Sequence, residues 1–198
     1  MPAVHPIRGD RRLNSFSERI QHLVRNDPVR WQVLAQVSTL QLPDCWVGAG
    51  FVRNLVWDHL HGRAHSPLST DVDVLWFNPA CVDAQQDRAL EAQLQALAPG
   101  ITWSVKNQAR MHVRNGDAPY RDTADAMRYW PETATAVAVR RTPDDHCEVS
   151  APLGLDDLFA LVLRPTARYV SQKHMVYASR ITGKGWLDTW PLLRCEGP

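Results

Sequence analysis

Two neighbouring stretches decide the fold: CWVGAGFVRNLVWDHLHG, residues 45–62, and TDVDVLWF, residues 70–77. The first begins as a short apolar run that ends at Gly48-Ala49-Gly50. Apolar residues then recur at helical spacing, at Phe51, Leu55, Val56 and Leu60. The pattern predicts a strand, a tight turn and a helix. The second stretch is rich in β-branched and aromatic residues and stops at Asn78-Pro79, which predicts a second, central strand.

Two acidic residues, Asp71 and Asp73, interrupt the second stretch. Alternate residues of a strand face the same side, so both carboxylates emerge on one face, about 6.6 Å apart at ~3.3 Å per residue. At that separation they can reach one divalent cation or bridge two. Carboxylate oxygens suit Mg²⁺ or Mn²⁺, which neutralise a triphosphate and activate an attacking oxygen. Taken alone, Asp-x-Asp more often represents two solvated acids on the open face of an edge strand than a metal site.

The glycine turn upstream changes that balance. Gly48 and Gly50 free the backbone for close approach, and Arg53 lies one turn into the following helix. The first amides of a helix and its positive end favour phosphate, so a triphosphate there would share a cation held by Asp71 and Asp73. The two motifs therefore complement each other.

The rest of the chain alternates helices and strands. Helices are predicted at 15–26, 28 to about 40, 83–97, 122–129 and 154–163, with a terminal helix from about 168; strands are predicted at 101–105, 134–140 and 146–150. The last two strands should form a hairpin, so we expect an α/β or α+β fold with a mixed sheet covered by helices. We expect one domain over 1–198, with a helical N-terminal segment at about 13–40, a core at about 44–165 and a helical C-terminal segment at about 166–198.

Composition excludes several functional classes. Lys plus Arg (22) nearly equals Asp plus Glu (21), so the net charge of +1 gives no basic excess to hold a nucleic-acid backbone. The sequence shows neither an apolar leader nor 18 uninterrupted apolar residues, which predicts a cytoplasmic protein with no membrane partner. The four cysteines form no Cys-x-x-Cys pair and are expected to be free thiols.

The order of glycine turn, helix and Asp-x-Asp strand resembles the nucleotidyltransferase superfamily, to which DNA polymerase beta and the tRNA CCA-adding enzymes belong. The chain is more closely similar to a small bacterial nucleotidyltransferase-like family of unassigned substrate. The segments that carry this resemblance are VKNQARMH (105–112), APY (118–120), WPETATAVAVR (130–140) and APLGLDDLF (151–159).

The resemblance implies a mixed sheet, a cation (Mg²⁺ or Mn²⁺) held by Asp71 and Asp73, and nucleotide phosphates near Gly48, Gly50, Arg53 and Asn54. The sequence departs from the superfamily at Ala49, where Gly or Ser is frequent, and at Asn54, where Asp is frequent.

Two further site residues are expected after this comparison. Superfamily members usually supply a third carboxylate from a neighbouring strand, and residues 101–105 contain none, so Glu148 is the candidate substitute. A solvated acid on an edge strand explains Glu148 at least as well. Lys106, directly after a strand, is a candidate contact for phosphate or base. Helix capping explains the neighbouring Asn107 equally well.

The expected function is a metal-dependent nucleotidyltransferase that moves a nucleoside monophosphate from a nucleoside triphosphate to an acceptor hydroxyl and releases pyrophosphate. A small molecule, a protein side chain or an RNA end are all chemically open as acceptors, although the near-neutral charge disfavours long RNA. One alternative is a nucleotide-binding or regulatory protein that kept the scaffold without turnover, and another is a plain interaction domain.

Overall fold

A five-stranded mixed sheet carries both decisive stretches. The computed structural model describes residues 15–68 and 71–197. Within them the strands are β1 (Trp46–Gly48), β2 (Val72–Trp76), β3 (Trp103–Asn107), β4 (Ala138–Arg141) and β5 (Cys147–Ser150). Their spatial order is β3-β2-β1-β4-β5; β2 and β3 run parallel, and the other neighbouring pairs are antiparallel.

Ten helices surround the sheet in the described ranges. They are α1 (Phe16–Asn26), α2 (Pro28–Ser38), α3 (Gly50–Leu60), α4 (Ala84–Leu97), α5 (Gln108–Asn115), α6 (Thr123–Met127), α7 (Asp156–Phe159), α8 (Ala167–Ser171), α9 (His174–Gly183) and α10 (Trp186–Thr189). Two short strands, β6 (Val162–Leu163) and β7 (Arg194–Cys195), form a separate parallel pair. The expected α/β class with a mixed sheet is confirmed.

The two faces of the sheet differ in what they bury. Val47, Val72, Val74 and Val139 belong to the main apolar core, together with the buried residues of α1 to α4. The opposite face packs Leu75 and Ala138 against Met127 of α6 in a smaller cluster. Asp73 and Leu75 are alternate residues of β2 and therefore share this second face. The site is thus carried by the less thickly covered face.

Local signals in the sequence explain several of the helix starts. Ser15 caps α1 through a capping box with Glu18, and the Asp27 side chain caps α2, which has proline in its first turn. The Asp83 side chain accepts a hydrogen bond from the backbone of Gln85 and so caps α4. Polar side chains at these positions satisfy amides that have no partner inside the helix.

Strand β2 lies inside the sheet, between β3 and β1, as expected for a central strand, and β1 is the middle strand. Several predicted boundaries were wrong. The predicted strand at 134–140 begins only at Ala138, because Thr133–Thr135 forms a 3₁₀ turn. The predicted helix at 154–163 ends at Phe159, and Leu161 then adopts a positive φ of 57° before β6. The terminal helix is divided into α8, α9 and α10.

Other features fell outside the predictions or outside the described residues. Helix α5 was not predicted, since its residues are polar and follow a strand directly. Residues 13 and 14 of the expected N-terminal segment, and Thr70 of the expected second strand, lie outside the described residues. All four cysteines are free thiols, as expected. Across the described ranges, no helix combines the length and the apolar character that crossing a bilayer requires.

Candidate active site

The sheet register brings the glycine turn and the Asp-x-Asp motif together. Gly48, the last residue of β1, is the direct partner of Asp73 on the antiparallel neighbour β2. Side chains of directly opposed residues lie on the same face of a sheet. Ser104 flanks Asp73 on the other side, as its register partner on β3. The Asp73 carboxylate therefore emerges beside the turn that opens α3.

The two aspartates are close enough to influence each other. Asp71 is exposed just before β2, and Asp73 is partly buried within it. Burial, followed by the charge of Asp71, raises the pKa of Asp73 from 3.8 to about 6, against the opposing effect of a hydrogen bond with Ser104. Two carboxylates held in this way favour a cation between them, because a cation offsets both the repulsion and the burial.

The turn itself is built differently from the expectation. A Cβ at Gly48 would lie 3.1 Å from both Leu75 Cδ1 and the Val137 carbonyl oxygen, so packing between strands requires this glycine. Ala49 has the unusual backbone, with φ 53° and ψ −124°. Its amide donates to the Val137 carbonyl at 3.0 Å, which fixes the turn against the start of β4. The sequence pattern predicted the unusual backbone conformation at Gly48 and Gly50, but Ala49 adopts it.

Arg53 extends from the first turn of α3 under this site. It is 6% exposed; Nη1 donates to Thr135 Oγ1 and Nη2 to Asn54 Oδ1, both at 2.9 Å. Its Nε is buried and has no hydrogen-bond partner among the described residues. Burial lowers the pKa of Arg53 to about 10, so the guanidinium stays protonated at neutral pH. Asn54 thus orients Arg53 and keeps one of its donors occupied.

Two charged residues that the sequence analysis missed complete the surroundings. Glu132, with no exposed surface, accepts hydrogen bonds from Thr135 Oγ1 at 2.9 Å and from Arg180 Nε at 2.6 Å. The positive charges of Arg53 and Arg180 both act to lower the pKa of Asp73, so both lie within electrostatic reach of it. The quoted segment WPETATAVAVR contained Glu132 but gave no sign of its burial, and Arg180 carried no sequence signal.

Glu148 is not brought to this site. Asp73, Gly48, Ala138 and Ser150 follow one another across the sheet, which puts β5 about 14 Å from β2 at ~4.8 Å per strand. Glu148 lies two residues before Ser150 on β5, farther from Asp73, and forms an ion pair with Arg140 at 2.5 Å. It lines a separate cavity of about 740 Å³ together with Arg140, at the end of the sheet where β1 begins. The structure therefore gives Glu148 no contact with the aspartate pair.

Lys106 and Asn107 also have partners of their own. The Lys106 ammonium forms an ion pair with Glu91 of α4 at 2.5 Å, at the edge of the sheet. Asn107 is fully buried and caps α5 through a hydrogen bond from the Ala109 amide at 3.0 Å. The capping interpretation of Asn107 is confirmed, and Lys106 would have to leave Glu91 to contact a nucleotide.

The donor set at Asp71 and Asp73 fits Mg²⁺ or Mn²⁺. Both ligands are carboxylates, the hard oxygen donors that these ions prefer. No group of three or more His, Cys, Asp or Glu suited to a metal occurs in the part of the chain that the structure describes. Mg²⁺ beside a nucleotide usually takes one or two carboxylates from the protein, together with phosphate oxygens and water.

Comparison with known proteins identifies the family and the fold of the chain. Residues 35–195 match the family described as Nucleotidyltransferase, and no match was found among curated proteins. A protein whose NMR structure is described as revealing a CCA-adding enzyme head domain is 31% identical to the chain, with a TM-score of 0.80. That alignment covers 91% of this chain and 96% of the other.

More distant structures share the fold. A CCA-adding enzyme in complex with CTP is 15% identical, with a TM-score of 0.55, over 89% of this chain and 43% of that one. The Thermotoga maritima CCA-adding enzyme complexed with tRNA is also 15% identical, with a TM-score of 0.56, over 89% of this chain and 42% of that one. The chain therefore spans less than half the length of these two enzymes.

Proposed function

Because the chain belongs to the nucleotidyltransferase family, we propose that it moves a nucleoside monophosphate from a nucleoside triphosphate to an acceptor hydroxyl, with release of pyrophosphate. The observation that carries the proposal is the register contact between Gly48 and Asp73, which joins the turn to the acidic pair. The chain is a nucleotidyltransferase by family; the metal dependence, the acceptor and the leaving group are the proposed part.

The proposed roles follow from position. Asp71 and Asp73 would hold Mg²⁺ or Mn²⁺, which when bound supplies neutralisation of the triphosphate charge. The turn at Gly48 and Gly50 would place phosphates against the first amides of α3, where the helix dipole favours negative charge. Arg53, held by Asn54, would donate to the same phosphates. Glu148 forms an ion pair with Arg140, and Lys106 forms one with Glu91, so neither has a role in this proposal.

The acceptor remains open to three classes: a small molecule, a protein side chain or an RNA end. The structural relative in complex with CTP supports a nucleoside triphosphate as donor. The relative in complex with tRNA does not identify the acceptor of this chain, because the chain spans less than half of that enzyme. The net charge of +1 argues against a long RNA, whose backbone is bound chiefly by basic side chains.

The test is transfer of label from α-³²P nucleoside triphosphates with Mg²⁺ or Mn²⁺, offered with one representative of each acceptor class. We expect label in one class, with pyrophosphate released in equal amount. Asp71→Asn should lower the rate at least about 10³-fold, because it removes a ligand of the metal ion that offsets the transition-state charge. Chelation of the divalent ion should have the same effect.

The matched control is Asp144→Asn, an exposed acid at the other end of the sheet, which should transfer at the wild-type rate. Full activity of Asp71→Asn would contradict the assigned role. Metal-dependent nucleotide binding without pyrophosphate release in every acceptor class would support the alternative of a nucleotide-binding or regulatory protein. Absence of nucleotide binding would leave only an interaction domain.

A further inference from the structure

A buried carboxylate links two arginines beside the aspartate pair. Glu132 accepts a hydrogen bond directly from Arg180 Nε and, through Oε2, from Thr135 Oγ1, which in turn accepts from Arg53 Nη1. The four side chains come from three separate segments: α3, the 3₁₀ turn before β4, and α9. An ionised carboxylate without exposed surface is costly unless it is paired and hydrogen-bonded, and here both oxygens have partners.

One indole ring fixes the distance between the two cations. Trp186 lies under Arg53 at 4.3 Å and under Arg180 at 5.2 Å, measured from each guanidinium carbon to the ring centroid. Trp186 is 5% exposed and itself packs edge-on against Trp57 of α3. The cations are therefore held near each other against a rigid surface, although like charges repel.

Both guanidinium groups have N–H donors without a hydrogen-bond partner among the described residues. Arg53 Nε is buried without a partner among the described residues. Arg180 donates only Nε, to Glu132, in the described part of the chain, and its side chain is 29% exposed. A guanidinium has five donors in a fixed fork that matches phosphate oxygens. Within the described ranges, Arg53 and Arg180 both have unpaired donors, and both act electrostatically on Asp73. Together they favour the binding of a polyanion next to the acidic pair.

We infer that Arg180 contacts the polyphosphate of the nucleotide together with Arg53, and that Glu132 is a positioning residue that holds both guanidinium groups. The inference rests on the proposed function and adds to it the residues that bind the leaving phosphates. Glu132 touches neither phosphate nor metal; it restricts the two long side chains, so that less conformational entropy is lost when the ligand binds. The loss of these contacts weakens the binding of every ligand that carries the polyphosphate, whatever its base.

The probe is inorganic tripolyphosphate with Mg²⁺, titrated into the full chain by calorimetry, because it contains the phosphates without the base. Glu132→Gln with Arg180→Met removes both members of this ion pair together, while Arg53 keeps its hydrogen bonds to Thr135 and Asn54. We expect this double variant to bind tripolyphosphate at least about tenfold more weakly, and a nucleoside triphosphate weaker by a similar factor. Near-ultraviolet circular dichroism establishes that each variant is folded.

The matched control is Arg141→Met. Arg141 is 28% exposed, pairs with Asp145 at 2.6 Å and lies 4.5 Å from the ring of Trp31, but it is at the far end of β4. Its removal should change tripolyphosphate affinity by less than twofold. If the effect of Arg180 were only a loss of surface charge or of stacking, the two arginine variants would behave alike.

A double-mutant cycle separates positioning from general destabilisation. Glu132→Gln should cost more affinity when Arg180 is present than in the Arg180→Met background, where only its effect through Thr135 and Arg53 remains. A purely structural role gives the same loss in both backgrounds. If Arg180→Met does not fold, the comparison of the paired variant with wild type still decides. Wild-type affinity in the paired variant would overturn this inference and leave the proposed function standing. Failure of the wild-type chain to bind tripolyphosphate or nucleotide would overturn both.

Discussion

Asp73, the residue proposed to bind the metal ion, lowers the stability of the folded chain at neutral pH. Its folded-state pKa of about 6 exceeds the ordinary 3.8, so the native chain binds more protons than the unfolded chain between about pH 4 and pH 6. Stability therefore falls as the pH rises through that window and stays low above it. Two pKa units correspond to about 3 kcal/mol at most, reduced by solvent screening around a partly exposed group.

Asp73→Asn should consequently stabilise the metal-free protein while abolishing transfer. We expect the free energy of unfolding in urea to rise by about 1–2 kcal/mol at pH 7.5 and to change little at about pH 3, where the wild-type carboxyl is mostly protonated in both the folded and the unfolded chain. Asp71→Asn should give a smaller gain, because it removes only one of the causes that raise the pKa of Asp73. A loss of stability at pH 7.5 would contradict this electrostatic account.

Ala49 carries the backbone strain of the turn. Its φ of 53° with ψ −124° is costly for a residue with a Cβ, by about 1–3 kcal/mol, and accessible to glycine. Ala49→Gly should raise the free energy of unfolding by about 0.5–1 kcal/mol after the entropy of the unfolded chain is counted. Thermal denaturation measures the gain. Ala98→Gly, at a φ of −143°, is the control and should lower the melting temperature.

Elements with a strong local pattern were predictable, and those that depend on tertiary pairing were not. The strand, turn and helix at residues 45–62 were found from apolar spacing and two glycines. By contrast, β6 has only two residues and exists because β7 pairs with it from more than thirty positions later. Helix α5 has a polar sequence, and its start is set by Asn107, whose contacts lie mainly in other segments.

Asn107 anchors the junction between β3 and α5. Its side chain accepts from the amides of Ala109 and Asn78 and donates to the carbonyls of Asn78 and Cys81. Asn107→Ala would leave several buried backbone groups without partners, so we expect a loss of about 2–4 kcal/mol in urea unfolding. Nucleotide affinity per folded molecule should stay within twofold. Weaker binding at unchanged stability would instead assign Asn107 to the site.

At the scale of the whole molecule, the C-terminal segment is fastened to α3. Asp58, 3% exposed, accepts hydrogen bonds from Trp190 Nε1, Arg63 Nη1 and Ser66 Oγ, each at 2.7 Å. Fully buried Arg30 donates to the carbonyls of Ser66 and Pro67 in the same loop. This loop leads toward Asp71, so contacts from both ends of the described chain converge on the segment before the acidic pair.

Trp190→Phe tests this fastening. The change removes the indole donor to Asp58 while retaining an aromatic ring, and we expect a loss of about 1–3 kcal/mol in the free energy of unfolding. Trp103→Phe is the control, because the buried Nε1 of Trp103 has no partner among the described residues. It removes comparable volume and no hydrogen bond, so its loss should be smaller. Equal losses would mean that packing alone holds the C-terminal segment.

The same long-range convergence limits what the sequence predicts of the site. Asp71, Asp73 and Arg53 lie in motifs whose spacing suggested a shared location. Glu132 and Arg180 are 48 residues apart, and their contact depends on how α9 folds back across the start of β4. Glu148 was chosen by strand position alone, and strand order, which no local pattern determines, separates it from Asp73.

The central claim is that a triphosphate lies on the glycine turn and shares a cation held by Asp71 and Asp73. Calorimetry tests this claim most directly. A non-hydrolysable nucleoside triphosphate is titrated into the wild-type chain and into Asp73→Asn, each with Mg²⁺ and with chelator. We predict that removing Mg²⁺ weakens wild-type binding at least about tenfold and leaves the already weak binding of Asp73→Asn unchanged. Equal dependence on Mg²⁺ in the two proteins would contradict the claim.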